Sequence, residues 1–171
     1  MRYVALLRGI NVGGNSKVEM SRLKTVFEKL GFENVKTFIN SGNVLFDANE
    51  PDGEKIEKAI EKEFGFLVPT VVVSKEKLEN VSSKVPAEWV NDAEQKTDVI
   101  FLWDEVADKK VLNDIKQHSE ADELLYIDGA IVWHIDKALY TKSKMRDFIS
   151  NPIYKKMTAR NINTVRKLTR L

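Results

Sequence analysis

The hydrophobic and polar positions fall into short apolar runs separated by helical stretches. "RYVALLR" is an apolar strand, and "MSRLKTVFEKLGF" places Met20, Leu23, Phe27 and Leu30 at helical spacing, with Ser21 as a cap and Gly31 as a stop. "VKTFI" and "VLF" flank "NSGN", whose Ser-Gly centre suits a tight hairpin turn. "PDGEKIEKAIEKEFGF" then opens with Pro and Asp before Ile56, Ile60 and Phe64 recur every four residues, and "PTVVVS" closes the series as a strand. The order β-α-β-β-α-β over residues 2 to 74 is the split βαβ arrangement. It predicts an α+β, ferredoxin-like subdomain in which two helices cover one face of a four-stranded antiparallel sheet.

The second half repeats this pattern more weakly. "DVIFLW" predicts a strand, "EVADKKVLNDIKQ" a helix with Val106, Val111 and Ile115 roughly on one side, and "ELLYIDGAIVWHI" a hairpin about its Asp-Gly pair. "VIFLWDE" echoes "YVALLRG", and "YIDGAIV" echoes "FINSGNV". The expected organisation is a ferredoxin-like subdomain over residues 1–75, a Pro-containing linker over 76–97, and a second ferredoxin-like subdomain over 98–171. The pattern does not reveal the second subdomain's fourth strand, so that copy reads as incomplete. The polar decoration occurs in one copy only, because "DE" and "DG" stand where the first half has "RGINVGGN" and "NSGN".

In a split βαβ unit the loop after the first strand and the hairpin between the second and third lie at one sheet edge. Residues 9–16 are therefore expected beside residues 40–43, with the "FGFLVP" turn offering Phe64 or Phe66 as an apolar wall. Gly9, Gly13 and Gly14 permit positive φ and close approach of backbone N–H groups to a ligand, the ingredients of an anion pocket. "GINVGG" has neither dinucleotide-fingerprint spacing nor a P-loop ending, although Asn15, Ser16 and Lys17 add donors. The edge residues Arg8, Asn11, Gly13, Gly14, Asn40, Ser41 and Asn43 form the first candidate ligand-binding set.

Charge adds a second set. The net charge of +1 conceals an asymmetry: residues 142–171 hold nine Lys and Arg against the single acid Asp147, so the rest of the chain carries −7. A basic segment of this kind steers anions or nucleic acid, or pairs with its own acidic body. If Thr158 or Asn161 caps a helix in "TARNINTVRKL", Arg160, Asn163, Thr164 and Lys167 share one side while Ile162, Val165 and Leu168 share another. Lys144, Arg160, Asn161, Asn163 and Thr164 are the C-terminal candidates for clamping a phosphate or carboxylate.

Three blocks, "YVALLRGINVGGNSKVEM", "LGFENVKTFINSGNVLF" and "TARNINTVRKL", resemble the signatures of the bacterial family called domain of unknown function 1697. They span nearly the whole chain in the family's order. The resemblance implies two ferredoxin-like subdomains packed together and supplies no substrate or catalytic residue. Arg8, Gly9, Asn11, Gly13, Gly14, Ser41, Gly42 and Asn43 match the N-terminal blocks, and Ser143, Lys144, Arg160, Asn161 and Thr164 the C-terminal ones. Ile162 stands where the family pattern has tryptophan, and "ALYTKSK" departs from its glycine-rich approach to Ser-Lys.

Other chemistries find less support. With no cysteine there is no disulfide, thiol nucleophile or zinc-thiolate site. His118 and His134 lack ligand spacing, so no metal or other cofactor is expected. The acids cluster as "EKIEKAIEKE" and "NDAEQKTD", solvated patterns rather than a paired-carboxyl cleft, and no base neighbours the serine of "GNSKVEMSR". Trp89, Trp103 and Trp133 read as core or subdomain contacts. No run approaches the roughly 20 apolar residues of a membrane span, and "MRYVALLRGI" is too short for a secretory core, so the expectation is a cytoplasmic chain with no membrane partner.

The first functional expectation is a small anionic ligand at a polar site built from the N-terminal loops and the basic C-terminus. The alternatives are an RNA- or nucleic-acid-binding module, to which the strands bring few interleaved aromatics, and an assembly protein without a small ligand. Whether there is catalysis, and what the oligomeric state is, stay open.

Overall fold

A computed structural model describes all residues except Asn15, and its contacts divide the chain into two units, Met1–Glu76 with Leu171, and Lys77–Arg170. In the first, strands β1 (Arg2–Leu7), β2 (Glu33–Phe38), β3 (Asn43–Asp47) and β4 (Thr70–Ser74) form an antiparallel sheet in the order β2-β3-β1-β4. Helices α1 (Met20–Lys29) and α2 (Gly53–Phe64) interleave with them as the spacing predicts. Leu23, Val26 and Phe27 of α1 and Ile56 and Ile60 of α2 pack with Ala5, Leu7, Val44 and Phe46 on one sheet face. Phe46 centres an aromatic cluster, 4.6 Å from Phe32 and 5.2 Å from Phe27 between ring centroids. The residues of opposite parity, Val4, Leu6 and Leu45, are also fully buried.

The turns follow the sequence's local chemistry. Asp52 caps α2 by accepting hydrogen bonds from the N–H groups of Glu54 and Lys55, and Gly65 ends that helix in the left-handed region at φ 81°. The hairpin between β2 and β3 turns through residues 39–42 with Gly42 at φ 82°. A Cβ there would lie 2.7 Å from Ile10 Cδ1 and 2.8 Å from Leu7 Cβ, so only glycine lets the hairpin close against β1.

The second unit has the same strand order: β5 (Gln95–Leu102), β6 (Glu123–Ile127), β7 (Ala130–Asp136) and β8 (Met157–Asn161) run antiparallel as β6-β7-β5-β8. The chain is thus an α+β protein of two ferredoxin-like subdomains. The strand missing from the sequence reading is β8, in the stretch "MTARN" expected to begin a helix. Its backbone completes the free edge of β5, from Asp98 opposite Asn161 to Leu102 opposite Met157, and only then does α4 (Ile162–Leu168) start.

Two further expectations are corrected. "EVADKKVLNDIKQ" is not an α-helix but two 3-10 turns, Asp104–Val106 and Lys109–Asp114. Extended Asp108 interrupts it, its carboxylate accepting from the Lys110 N–H, a local alternative to helical bonding. Three more 3-10 segments, Lys137–Lys142, Met145–Ser150 and Pro152–Lys156, occupy the second crossover and deliver Met145 and Phe148 to the core. The stretch read as a linker, residues 76–97, holds most of helix α3 (Lys75–Lys84), with Leu78 and Val81 buried, and the start of β5. Among the described residues no helix is long and apolar enough to cross a membrane.

Gly42→Ala is expected to destabilise the first unit by about 2–4 kcal/mol, combining left-handed strain with overpacking against Ile10 and Leu7. Chemical denaturation checks this, and a change below about 0.5 kcal/mol would show that the hairpin does not need glycine.

Candidate functional site

The loop between β1 and α1, the 39–42 hairpin and the turn before β4 converge at one end of the first sheet, as the topology requires. Three backbone bonds stitch them to β1 and its extension. Leu7 N–H donates to Gly42 O at 2.9 Å, Arg8 N–H to Pro69 O at 2.8 Å, and Asn11 N–H to Ser16 O at 3.1 Å.

Asn11 closes the long loop on itself. Its Oδ1 accepts from Val18 N–H at 2.9 Å, while its Nδ2 donates to Val18 O at 3.0 Å and to Asn40 O at 2.9 Å. The side chain thus copies a strand neighbour for Val18 and ties the loop to the hairpin. It stands on left-handed backbone at φ 54°, which asparagine tolerates better than most residues. Between these ties, Val12, Gly13, Gly14 and Lys17 are exposed, with Gly13 at φ 61° and Gly14 at φ 79°. Asn15 lies outside the described residues.

Asn43 is fully buried, and its Nδ2 donates to Phe38 O at 2.9 Å and to Ser41 Oγ at 3.2 Å. Asn11 and Asn43 therefore spend their amides on positioning, and Asn40 contributes its backbone carbonyl to the same tie. The side of the site open to solvent consists of half-buried Arg8, exposed Lys17 and Ser41, the glycine backbone, and the aliphatic tips Val12, Ile39 and Leu67. No aspartate or glutamate occurs in residues 8–18, 38–42 or 65–69, although residues 1–76 contain eleven. Phe64 and Phe66 are half-buried against the unit's core, and the Arg22 guanidinium lies 5.0 Å from the centre of the Phe64 ring.

In the second unit the C-terminal candidates do not form one helical stripe, because β8 ends between them. Arg160 lies on β8, 8% exposed, with Nη1 donating to Thr158 Oγ1 at 3.0 Å and Ala159 O at 2.8 Å. Burial lowers its pKa to about 10, so it remains cationic at neutral pH. Of the two caps considered, Thr158 and Asn161, it is Asn161 that caps α4, its Oδ1 accepting from Thr164 N–H at 2.8 Å, and Thr164 is buried. Asn163 instead brackets Asn91, donating to its carbonyl at 2.8 Å and accepting from its N–H at 3.4 Å. Arg166 donates to the carbonyls of Pro86 and Trp89 in the same segment, both at 2.9 Å. Trp89 then stacks on His134 with centroids 4.4 Å apart, and Thr97 Oγ1 lies 2.8 Å from His134 Nδ1.

Ser143 and Lys144 depend on a residue that sequence reasoning missed. Asp122 is 4% exposed: its Oδ1 accepts from Trp133 Nε1 at 3.0 Å and Ser143 Oγ at 2.6 Å, and its Oδ2 from the N–H groups of His118 and Lys144, both at 2.9 Å. This fixes the Lys144 backbone while its side chain stays exposed. Burial opposes the charge on Asp122, but the bonds from Ser143, His118, Lys144 and Trp133 outweigh it and hold the carboxyl below its ordinary range. Its one sequence signal is an acid beside an apolar strand, too common to select it. Among the described residues no three His, Asp or Glu side chains gather as a metal site.

Residues 1–133 match the family described as Protein of unknown function (DUF1697). The conserved bacterial protein SP0830 from Streptococcus pneumoniae has a similar solved structure, with a TM-score of 0.79 and 28% identity, covering 99% of this chain and 97% of that one. No curated protein matches.

Because its folded pKa is depressed, Asp122 contributes stability that is present above its unfolded pKa of about 3.9 and lost as pH falls through the folded value. Asp122→Asn, which presents an NH2 group to N–H donors, should cost about 2–3 kcal/mol at neutral pH. Urea midpoints should show the gap to the parent protein narrowing below about pH 4, and a gap constant with pH would contradict the assignment.

Proposed function

For a chain that belongs to the DUF1697 family of proteins of unknown function, we propose that the loop edge of the first unit binds a small organic anion, a phosphate or carboxylate ester or acid. The observation that carries this reading is the union of a tied-down, glycine-rich loop with an edge whose charged side chains, Arg8 and Lys17, are both cationic. Exposed backbone at Gly13 and Gly14 brings N–H groups within reach of anionic oxygens without a side chain intervening. Arg8 supplies planar, bidentate recognition and Lys17 a mobile point charge. Val12, Ile39 and Leu67 offer apolar contact to the organic part of the ligand.

In this reading Asn11, Asn40 and Asn43 position the loops rather than touch the ligand, and Ser41 adds a hydroxyl at the rim. Lys144 is the exposed cation among the C-terminal candidates, whereas Arg160, Asn161, Asn163 and Thr164 serve their own unit's fold. The central strands support a small ligand over a nucleic acid bound across a sheet. Val4, Ala5, Leu6, Leu45 and Phe46 are buried on both faces of the first sheet, so stacking aromatics on an open face are missing from these strands.

A thermal-shift panel of nucleotides, sugar phosphates and carboxylates tests the proposal, with Arg8→Ala and Lys17→Ala alongside. At about a hundred times its dissociation constant a ligand adds roughly 2.7 kcal/mol, a shift of several degrees. The expected result is a shift with an anion that shrinks in both variants. Stabilisation by no anion, or by one indifferent to both substitutions, refutes the reading.

A further inference from the structure

Helices α1 and α2 of the first unit leave a half-open cleft of about 290 Å3 between them, distinct from the loop edge. Val26, Leu30 and Ala59 give it an apolar floor, and Lys29, Lys62 and Glu63 line its walls. Alanine at 59 creates the trough, because a longer side chain there would fill it.

Charge on these two helices is sorted in a telling way. Glu63 accepts from Arg22 Nε at 2.9 Å and Nη2 at 2.7 Å, so its carboxylate is already matched. Lys24 pairs with Glu28 at 3.5 Å, Lys55 with Asp52 at 3.8 Å and Lys58 with Glu54 at 3.8 Å. Among the described residues, the lysines of α1 and α2 outside any ion pair are Lys29 and Lys62, the two that line the cleft. One comes from each helix, and both are exposed. Each stands in the last turn of its helix, where it also complements the helix dipole. That role does not account for the apolar floor between them.

We infer that this cleft binds a small amphiphilic anion, with an aliphatic or aromatic body on Val26, Leu30 and Ala59 and a carboxylate or phosphate monoester held by Lys29 or Lys62. The volume lies at the lower end of ligand-pocket sizes, about 300–1,000 Å3, which limits the apolar body to a short chain or a single ring. The mostly apolar lining with a few charged groups at its margin is the division of labour expected of such sites: burial supplies affinity and the cations supply orientation. Surface ammonium groups contribute modestly in water, so affinity is expected to be weak and salt-dependent.

The test is a backbone and methyl NMR titration of the whole chain with hexanoate, hexyl phosphate, acetate and hexylammonium. Hexanoate and hexyl phosphate should move the resonances of Val26, Leu30 and Ala59 along saturable curves; acetate, lacking the body, and hexylammonium, bearing the wrong charge, should not. Ala59→Met keeps a good helix former while filling the floor, and should abolish the response. The Lys29→Glu, Lys62→Glu double variant should weaken it by about tenfold, equivalent to roughly 1.4 kcal/mol. Equal shifts with hexylammonium, shifts that never saturate, or a response surviving Ala59→Met would overturn the inference. Resonances of Gly13 and Gly14 report the loop edge in the same spectra, so failure at one site is separable from failure at the other.

Discussion

One carboxamide governs the end of the first sheet. Asn11 holds left-handed backbone and uses both ends of its side chain to pair with Val18 across seven residues, then reaches Asn40 in the neighbouring hairpin. Without that bracket an exposed loop containing three glycines would sample many conformations, and ordering it at the moment of binding would consume much of a ligand's interaction energy. With it, the entropy has been met during folding by the packing of β1 and β3. Gly42 completes the constraint by letting the hairpin approach Leu7 and Ile10. The loop edge is therefore a consequence of the core beneath it.

The two units share a strand order and differ in how they fill the space around it. In the first, α1 and α2 bury regular apolar stripes. In the second, short 3-10 segments carry Met145, Phe148 and Val111 inward, and a buried carboxylate replaces helical regularity as the organiser of the crossover. Asp122 gathers four donors from three separate stretches of chain, and such charge-assisted bonds suit a segment that has few i-to-i+4 bonds of its own. The same economy appears at Asn163 and Arg166, which hold the 86–91 segment by its backbone.

Much of this was legible before the structure. Alternation and helical spacing located every element of the first unit, and the Asp-Gly and Ser-Gly centres located both hairpins. The split βαβ order then put Arg8 and Asn11 near Asn40 and Asn43. What the sequence concealed has a common cause. β8 is a five-residue strand whose partner, β5, lies more than fifty residues earlier, so nothing local distinguishes it from the start of the helix that follows. Val111 and Ile115 have helical spacing, but Asp108 between the 3-10 turns offers the backbone a competing bond. Among the candidate residues, polarity alone could not tell a contact from a brace: Asn11, Asn43 and Asn163 each donate to a backbone carbonyl, and Asp122 is inconspicuous though its carboxylate accepts four hydrogen bonds.

The central claim is that the Gly13 and Gly14 backbone is held ready by the Asn11 bracket. The most direct measurement is 15N relaxation at those two glycines in the free protein and in Asn11→Ala. A preformed loop predicts order parameters near those of rigid backbone, about 0.85, falling below about 0.6 when the bracket is removed. Low order in the unaltered protein, or order that survives loss of the Asn11 amide, would contradict the account.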